Sequence, residues 1–396
     1  MERNPYFSRL QPQYVFSEIR KRLSSFRKEY PQVILADLAI GDTTQPIDPQ
    51  ITSTIEHFVH TQSSSQNYQG YGPEAGILPL REKLATLFYE GNISIEEITI
   101  SDGAKNDLFR LFSLFGPEKT LAVQDPTYPA YIDIAYLTGV KEIIKLPGTK
   151  ENHFIPELPK QHPIDIFCLC FPNNPTGSML SHEELQKFVS YARKHNAIII
   201  FDTSYRAFIT DPTLPKSIFE IPEARYCAIE VGSFSKSLGF TGMRLGWTVI
   251  PKELCYTNGL SILQDWQRFL SAVFNGASRP IQEGGCLGID LLASSQAVAH
   301  YQNQGRQLRE ALSQAGFSVY GGAHAPYVWV ELPRGVPDKD AFDFFLHQYH
   351  IVATPGYAFG EHGKGFVRFS ALAKAEDIAR ACKQLTSTPL SSTVVL

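Results

Sequence analysis

Apolar residues in the middle of the chain follow two patterns, which predict helices and strands in alternation. Leu80 and Leu84 recur at the spacing of one helix face. Residues 164–171 and 198–202 instead form short, nearly continuous apolar runs. Strands that are apolar on both faces are typical of a mostly parallel sheet covered by helices on both sides. The pattern therefore predicts a large α/β domain.

The pattern changes beyond about residue 290, where strands and helices become fewer and more mixed. A polar helix is expected over 302–315, and strands are expected over 317–320, 327–331 and 365–370. This part predicts a smaller α+β domain that also takes in the N-terminal segment. The large domain is thus predicted to span 46–289, and the small domain to combine 1–45 with 290–396.

Composition and charge restrict the class of protein. Of the 396 residues, 43% are hydrophobic and 19% are charged, and the formal net charge is −4. These values give no sign of a surface for nucleic acid or anionic membranes. No apolar run approaches the roughly 20 residues that span a bilayer, and the first residues lack the apolar core of a signal peptide. We therefore expect a cytoplasmic protein that binds neither nucleic acid nor membranes.

Cysteine and histidine spacings do not predict a metal centre. No C-x-x-C pair occurs among the six cysteines, so neither a disulfide frame nor a thiolate metal site is expected. Two histidine pairs at i,i+3 spacing are interpreted as surface residues: His57/His60 and His347/His350.

Polar segments follow four of the predicted strands, at the edge where an open α/β sheet binds its ligand. Residues 101–105 place small residues at a helix N-terminus, which favours a phosphate, although a plain helix cap is the alternative. Residues 171–177 place two prolines around Asn173 and Asn174, which suits either a fixed amide side chain or a structural turn.

The other two segments carry charged side chains. Asp202 ends a buried strand and needs a partner there, for which a protonated pyridine nitrogen is suitable. Ser233, Ser235 and Lys236 are followed by Arg244 in a segment that also contains Gly239 and Gly242. The lysine amine is able to form an imine with an aldehyde cofactor, while the serine hydroxyls and the arginine hold its phosphate.

Together these segments resemble the fold-type I aminotransferases of class I/II, which use pyridoxal 5′-phosphate (PLP). The resemblance covers nearly the whole chain. Segments 40–44, 70–76, 101–105 and 274–278 look closest to the L,L-diaminopimelate aminotransferases. The resemblance implies a PLP-dependent transferase fold with a large, mostly parallel sheet domain and a smaller α+β domain.

The resemblance also implies roles for individual residues. Lys236 would carry PLP as a Schiff base and then move the substrate proton, Asp202 would keep the ring nitrogen protonated, and Tyr128 would stack on the ring. These three are the expected catalytic residues. The implied cofactor contacts are Tyr71, Ala104, Lys105, Tyr128, Asn174, Asp202, Tyr205, Ser233, Ser235, Lys236, Arg244 and Asn275.

A homodimer with shared active sites is implied as well, in which Tyr71 and Asn275 reach the neighbour's cofactor. Arg368 would bind the α-carboxylate of the substrate, with a strand-end surface arginine as the alternative. Glu74 from the partner subunit would meet the distal ammonium, with a solvated loop acid as the alternative. The implied substrate contacts are Tyr14, Gly41, Glu74, Lys105, Tyr128, Asn174, Asn275 and Arg368.

The leading functional hypothesis is transamination between L,L-diaminopimelate and 2-oxoglutarate, in the synthesis of lysine and cell-wall precursors. An aspartate, alanine or aromatic aminotransferase keeps the same fold and changes only the substrate. A β-eliminating lyase and a PLP-fold binding protein without turnover are further alternatives. The presence of Lys236, Asp202 and Arg368 disfavours the last of these.

Overall fold

The computed structural model of the protein describes residues 1–10, 15–39, 41–160 and 163–390. Its helices are α1 Val15–Glu29, α2 Pro49–Thr61, α3 Leu78–Leu87, α4 Ala104–Phe115, α5 Pro129–Leu137, α6 His182–His195, α7 Ile262–Val273, α8 Arg279–Leu291, α9 Gln296–Gln314, α10 Ala341–Tyr349 and α11 Ala375–Ser387. Its strands are β1 Ala36–Asp37, β2 Ile98–Ser101, β3 Thr120–Asp125, β4 Glu142–Pro147, β5 Ile166–Cys170, β6 Ile198–Asp202, β7 Ala228–Ser233, β8 Gly246–Val249, β9 Val319–Gly321, β10 Tyr327–Glu331, β11 Ile351–Val352, β12 Thr354–Pro355 and β13 Phe366–Ser370.

The main sheet has the strand order β2-β8-β7-β6-β5-β3-β4 within the described residues. Its strand pairs are parallel, except that β8 runs antiparallel to both β7 and β2. Because β2 and β7 both oppose β8, they point the same way. One edge of the sheet therefore carries the carboxyl ends of β2, β3, β5, β6 and β7. Because β8 runs the opposite way, its first residue lies at this same edge. The prediction of a mostly parallel sheet is confirmed.

Both faces of this sheet are covered by helices, as the apolar runs predicted. Successive residues of β5 alternate between two cores: Phe167 and Leu169 join one, while Ile166, Cys168 and Cys170 join the other. The first core also receives apolar residues of α3 and α6, and the second receives those of α4, α5 and α7. Burial on both faces fixes the strands, so the positions at which they end are fixed as well.

A second, antiparallel sheet has the order β12-β13-β10-β9 and packs with α9, α10 and α11 around a separate core. Strand β1 pairs in parallel with β11, which joins the N-terminal segment to the C-terminal part of the chain. The mixed α+β character expected beyond residue 290 is present. The division into domains at 46 and 289 stays a prediction.

Two predicted elements differ from those observed. The helix expected over 302–315 begins earlier, at Gln296, because the side chain of Ser295 caps it by accepting a hydrogen bond from the amide of Val298. The strand expected over 317–320 is instead Val319–Gly321, since these are the residues that pair with β10. Both errors concern element ends, where a capping side chain or a pairing partner decides the boundary.

Candidate active site

The shared carboxyl edge of the main sheet borders a cavity of about 660 Å³. Side chains from both sheets and from the N-terminal segment line it. Many of the residues singled out in the sequence are among them: Gly41, Ala104, Lys105, Tyr128, Asn174, Asp202, Tyr205, Ser233, Ser235, Lys236, Arg244 and Arg368. Segments that lie up to 327 positions apart in sequence, from Gly41 to Arg368, thus meet in one place.

Lys236 reaches the cavity from the turn after β7. The side chain of Phe234 is fully buried and anchors this turn, whereas Lys236 is only partly buried. Its Nζ donates a hydrogen bond to the carbonyl oxygen of Gly41. Desolvation lowers the pKa of Lys236 to about 8, with Asp42 opposing this change and the arginines at 368 and 244 adding to it. A useful fraction of the amine is therefore uncharged and nucleophilic near neutral pH.

Asp202 lies at the end of β6, where it is 5% exposed. Its Oδ2 accepts a hydrogen bond from Tyr131 Oη at 2.7 Å, and its Oδ1 accepts one from the amide of Ser204 at 2.9 Å. Burial raises the pKa of this carboxyl, and the two hydrogen bonds oppose the rise. Neither donor carries a positive charge, so the carboxylate is suited to a cationic group that enters the cavity.

Arg244 and the N-terminus of α4 meet at one corner of the cavity, a candidate anion-binding corner. The residue before α4, Gly103, has a φ of +117°, and a Cβ there would lie 2.3 Å from Arg244 Nη2. The arginine donates to Ser235 Oγ at 3.4 Å and to the carbonyl of Thr241 at 3.1 Å. The amide of Ser235 in turn donates to Ser233 Oγ at 3.1 Å. Hydroxyls, a guanidinium and helix amides at one corner are the groups that bind phosphate.

Arg368, on β13, is 3% exposed and held on several sides. Its Nη1 donates to Asn174 Oδ1 at 2.8 Å, and its Nη2 donates to the carbonyl of Ala39 at 2.8 Å. Its guanidinium carbon lies 4.5 Å from the ring centroid of Tyr327 and 4.8 Å from that of Phe359. The arginine is therefore held in one orientation at the cavity wall, as recognition of a carboxylate requires.

A hydrogen-bonded chain connects this arginine to the floor of the cavity. Asn174 Nδ2 donates to Tyr205 Oη at 3.4 Å, and the hydroxyls of Tyr205 and Tyr327 lie 3.0 Å apart. The chain links the ends of β5 and β6 to β10 and β13. A shift at any one of these strand ends would therefore be passed to Arg368.

Eight of the described residues that line the cavity are not among the predicted site residues: Arg20, Asp42, Asn106, Leu108, Tyr131, Ser204, Thr241 and Tyr327. Tyr131 lies one helical turn after Tyr128, and their rings meet edge-on at 5.5 Å, so the i,i+3 spacing could have indicated it. Tyr327 begins a strand and carries no local signal. Arg20 is one of several basic residues on α1, and nothing in the sequence separates it from them.

Other predicted site residues do not line the cavity of a single chain. Tyr71 is 89% exposed, and Glu74 and Asn275 are exposed as well. Their segments nevertheless lie side by side, because a Cβ at Gly276 would lie 3.1 Å from the carbonyl oxygen of Pro73. Tyr14 lies outside the described residues.

Comparison with known proteins identifies the family. The family model "Aminotransferase class I and II" matches residues 33–385. The chain belongs to the class I and II aminotransferases. LL-diaminopimelate aminotransferase of Chlamydia pneumoniae is 58% identical and covers 100% of both chains. The chloroplastic LL-diaminopimelate aminotransferase of Arabidopsis thaliana is 41% identical over 97% of this chain and 86% of the relative.

A solved structure agrees with this assignment. L,L-diaminopimelate aminotransferase from Chlamydomonas reinhardtii superposes with a TM-score of 0.92 at 39% identity, covering 98% of this chain and 99% of that chain. The family resemblance and the fold predicted for this aminotransferase are confirmed. Within the described ranges, none of its helices combines the length and the apolar character that crossing a membrane needs.

The lowered pKa of Lys236 leads to a testable prediction for this aminotransferase. Because the uncharged amine reacts with aldehydes, reductive methylation of Lys236 by formaldehyde and cyanoborohydride in the cofactor-free protein should reach half its maximum rate near pH 8. Peptide mass spectrometry over a pH series measures this, and the other lysine peptides in each sample serve as reference. A midpoint above pH 10 would contradict the effect of burial on this amine.

Proposed function

We propose that this aminotransferase transfers the amino group of L,L-diaminopimelate to 2-oxoglutarate, giving tetrahydrodipicolinate and glutamate, and catalyses the reverse reaction. One observation carries the proposal: the Lys236 amine lies in one cavity with an anion-binding corner, a buried carboxylate and a fixed arginine. The names of relatives that are 58% and 41% identical over nearly the whole chain support the choice of substrate. The reaction belongs to the synthesis of lysine and cell-wall precursors.

The residues of the cavity fit PLP. The corner formed by Ser233, Ser235, Arg244 and the amides at Ala104 and Lys105 would hold its phosphate. Bound PLP supplies an aldehyde and an electron sink for the charge left when the substrate loses its Cα proton.

The other cofactor contacts follow from the strand ends. Asp202, whose two hydrogen-bond donors carry no positive charge, would pair with the protonated ring nitrogen. Tyr205 and Asn174 would hydrogen-bond the ring hydroxyl oxygen. Tyr128 would pack against the ring.

The chain's own residues would bind the substrate and move its proton. With its pKa lowered to about 8, Lys236 would take the proton from Cα as a base and donate it as an acid to the former aldehyde carbon of the cofactor. Arg368 would bind the α-carboxylate through its fork, because Asn174 and the carbonyl of Ala39 already fix its orientation.

Diaminopimelate also carries a carboxylate and an ammonium at its far end. Lys105 and Arg20 both line the cavity and would serve the distal carboxylate, together with Gly41. Tyr14 is proposed from the sequence for the same end. We propose a homodimer in which the partner subunit's Glu74 meets the distal ammonium, because that residue is exposed in a single chain. The partner subunit's Tyr71 and Asn275 would complete the site. A cytoplasmic location stays a prediction.

Turnover with a panel of amino-group donors tests the proposed function. The PLP-loaded protein should form glutamate from 2-oxoglutarate and L,L-diaminopimelate, with a kcat/KM at least about tenfold above those for aspartate, alanine and tyrosine. Lys236→Ala should reduce the rate by about a thousandfold or more, since it removes the proton-transfer group. Equal rates with all donors would contradict the assigned substrate. Release of pyruvate and ammonia from a donor other than alanine, without 2-oxoglutarate, would indicate a lyase.

The role of Glu74 leads to a separate prediction. Glu74→Gln removes a charge opposite the distal ammonium, so the KM for L,L-diaminopimelate should rise about tenfold, while the KM for glutamate changes less than about threefold. Glu183→Gln is the matched control, because the Glu183 side chain is 83% exposed and paired only with Lys187 on α6. Steady-state kinetics of the three proteins with both substrates decides this. A parallel rise for glutamate would contradict the assignment.

A further inference from the structure

A loop that follows β12 packs against the end of β3 next to the cavity, and this contact between loop and strand end is called the clamp below. It comprises residues 356–363, which include Phe359, Gly360 and His362. The Nδ1 atom of His362 lies 2.9 Å from Oδ2 of Asp125, the last residue of β3. The Asp125 side chain is 2% exposed and that of His362 is 36% exposed. A buried carboxylate is thus paired with a ring that reaches it from the surface.

The clamp has backbone contacts as well. The amide of Thr127 donates to the carbonyl of Phe359 at 2.8 Å. Gly360 has a φ of +135°, and a Cβ there would lie 1.6 Å from Asp125 Oδ1. Glycine is therefore required at this position, both for its backbone conformation and for the close approach of the carboxylate. The loop and the end of β3 therefore pack against each other in one fixed arrangement.

Each side of the clamp leads directly to a residue of the candidate active site. On the strand side, Thr127 is followed by Tyr128, which lines the cavity. On the loop side, the Phe359 ring lies 4.8 Å from the guanidinium carbon of Arg368. The His362–Asp125 pair therefore connects two segments. One carries Tyr128, which is proposed to face the cofactor ring, and the other carries Phe359, which packs against Arg368.

We propose that His362 and Asp125 are positioning residues, which hold Arg368 at the correct place relative to Tyr128 so that it binds the substrate carboxylate. The inference rests on the role proposed above for Arg368. Loss of the pair frees the loop at Gly360, and Phe359 then no longer fixes one face of the guanidinium. Carboxylate affinity falls, whereas PLP affinity does not, because the anion-binding corner at Arg244 has no contact with this loop among those described.

Three variants separate positioning from general stability. His362→Leu removes the ring donor, and His362→Asn retains an N–H group near the place of Nδ1. His182→Leu is the matched control: His182 Nε2 lies 2.9 Å from Glu220 Oε2, and its side chain is 44% exposed, so it forms the same kind of pair on the outer surface.

The experiment measures the affinity of each PLP-loaded protein for glutarate by titration calorimetry, and the affinity of each cofactor-free protein for PLP. Glutarate is a dicarboxylate with the carbon spacing of 2-oxoglutarate and does not react. We expect His362→Leu to weaken glutarate binding at least about tenfold, His362→Asn less than about threefold and His182→Leu not at all, with PLP affinity unchanged throughout.

Three outcomes would overturn the inference. One is glutarate affinity in His362→Leu within about twofold of the wild-type protein. Another is a loss of PLP affinity that parallels the loss of glutarate affinity, because a parallel loss would indicate general damage to the fold. The third is a wild-type protein that does not bind glutarate, since Arg368 would then take no carboxylate. A wild-type protein that binds glutarate but does not turn over L,L-diaminopimelate refutes the proposed function, and the comparison of variants still decides the positioning role.

Discussion

The site depends on the partial burial of one amine. Lys236 extends from a turn anchored by Phe234 and donates to the carbonyl of Gly41, so the N-terminal segment covers it on one side. Loss of hydration lowers its pKa to about 8, with the two nearby arginines acting in the same direction. A lysine exposed to solvent would stay protonated and unreactive toward aldehydes near neutral pH. The fold therefore provides the reactivity, and the surrounding residues provide the selectivity.

The other charged side chains of the cavity surround that amine, and each is proposed to bind a different group of the ligands. Arg244 belongs to the corner with two serines and a helix N-terminus, whereas Arg368 is held by an amide and a backbone carbonyl. The donors to Asp202 within the described part of the chain, Tyr131 and the amide of Ser204, are both uncharged. Two cations and one carboxylate are thus fixed before any ligand binds, which lowers the reorganisation that catalysis requires. Arg20 and Lys105 line the same cavity and are the cations proposed for a second carboxylate.

Much of this site could be predicted from the sequence because its residues follow strand ends. Asn174, Asp202 and Lys236 each come shortly after an apolar run, and all three line the cavity. Tyr327 and Arg20 could not be found in that way, since their place depends on contacts between segments far apart in the chain. The direction of β8 could not be predicted either, because a strand buried on both faces is apolar whichever way it runs.

The visible absorption spectrum of the PLP-loaded protein tests the central claim most directly. We predict an absorption band from the cofactor bound to Lys236, which L,L-diaminopimelate removes at concentrations at least about tenfold below those of aspartate or tyrosine. Removal of the band at equal concentrations by aspartate or tyrosine would contradict the substrate assignment. A protein that takes up PLP without such a band would contradict the role of Lys236 itself.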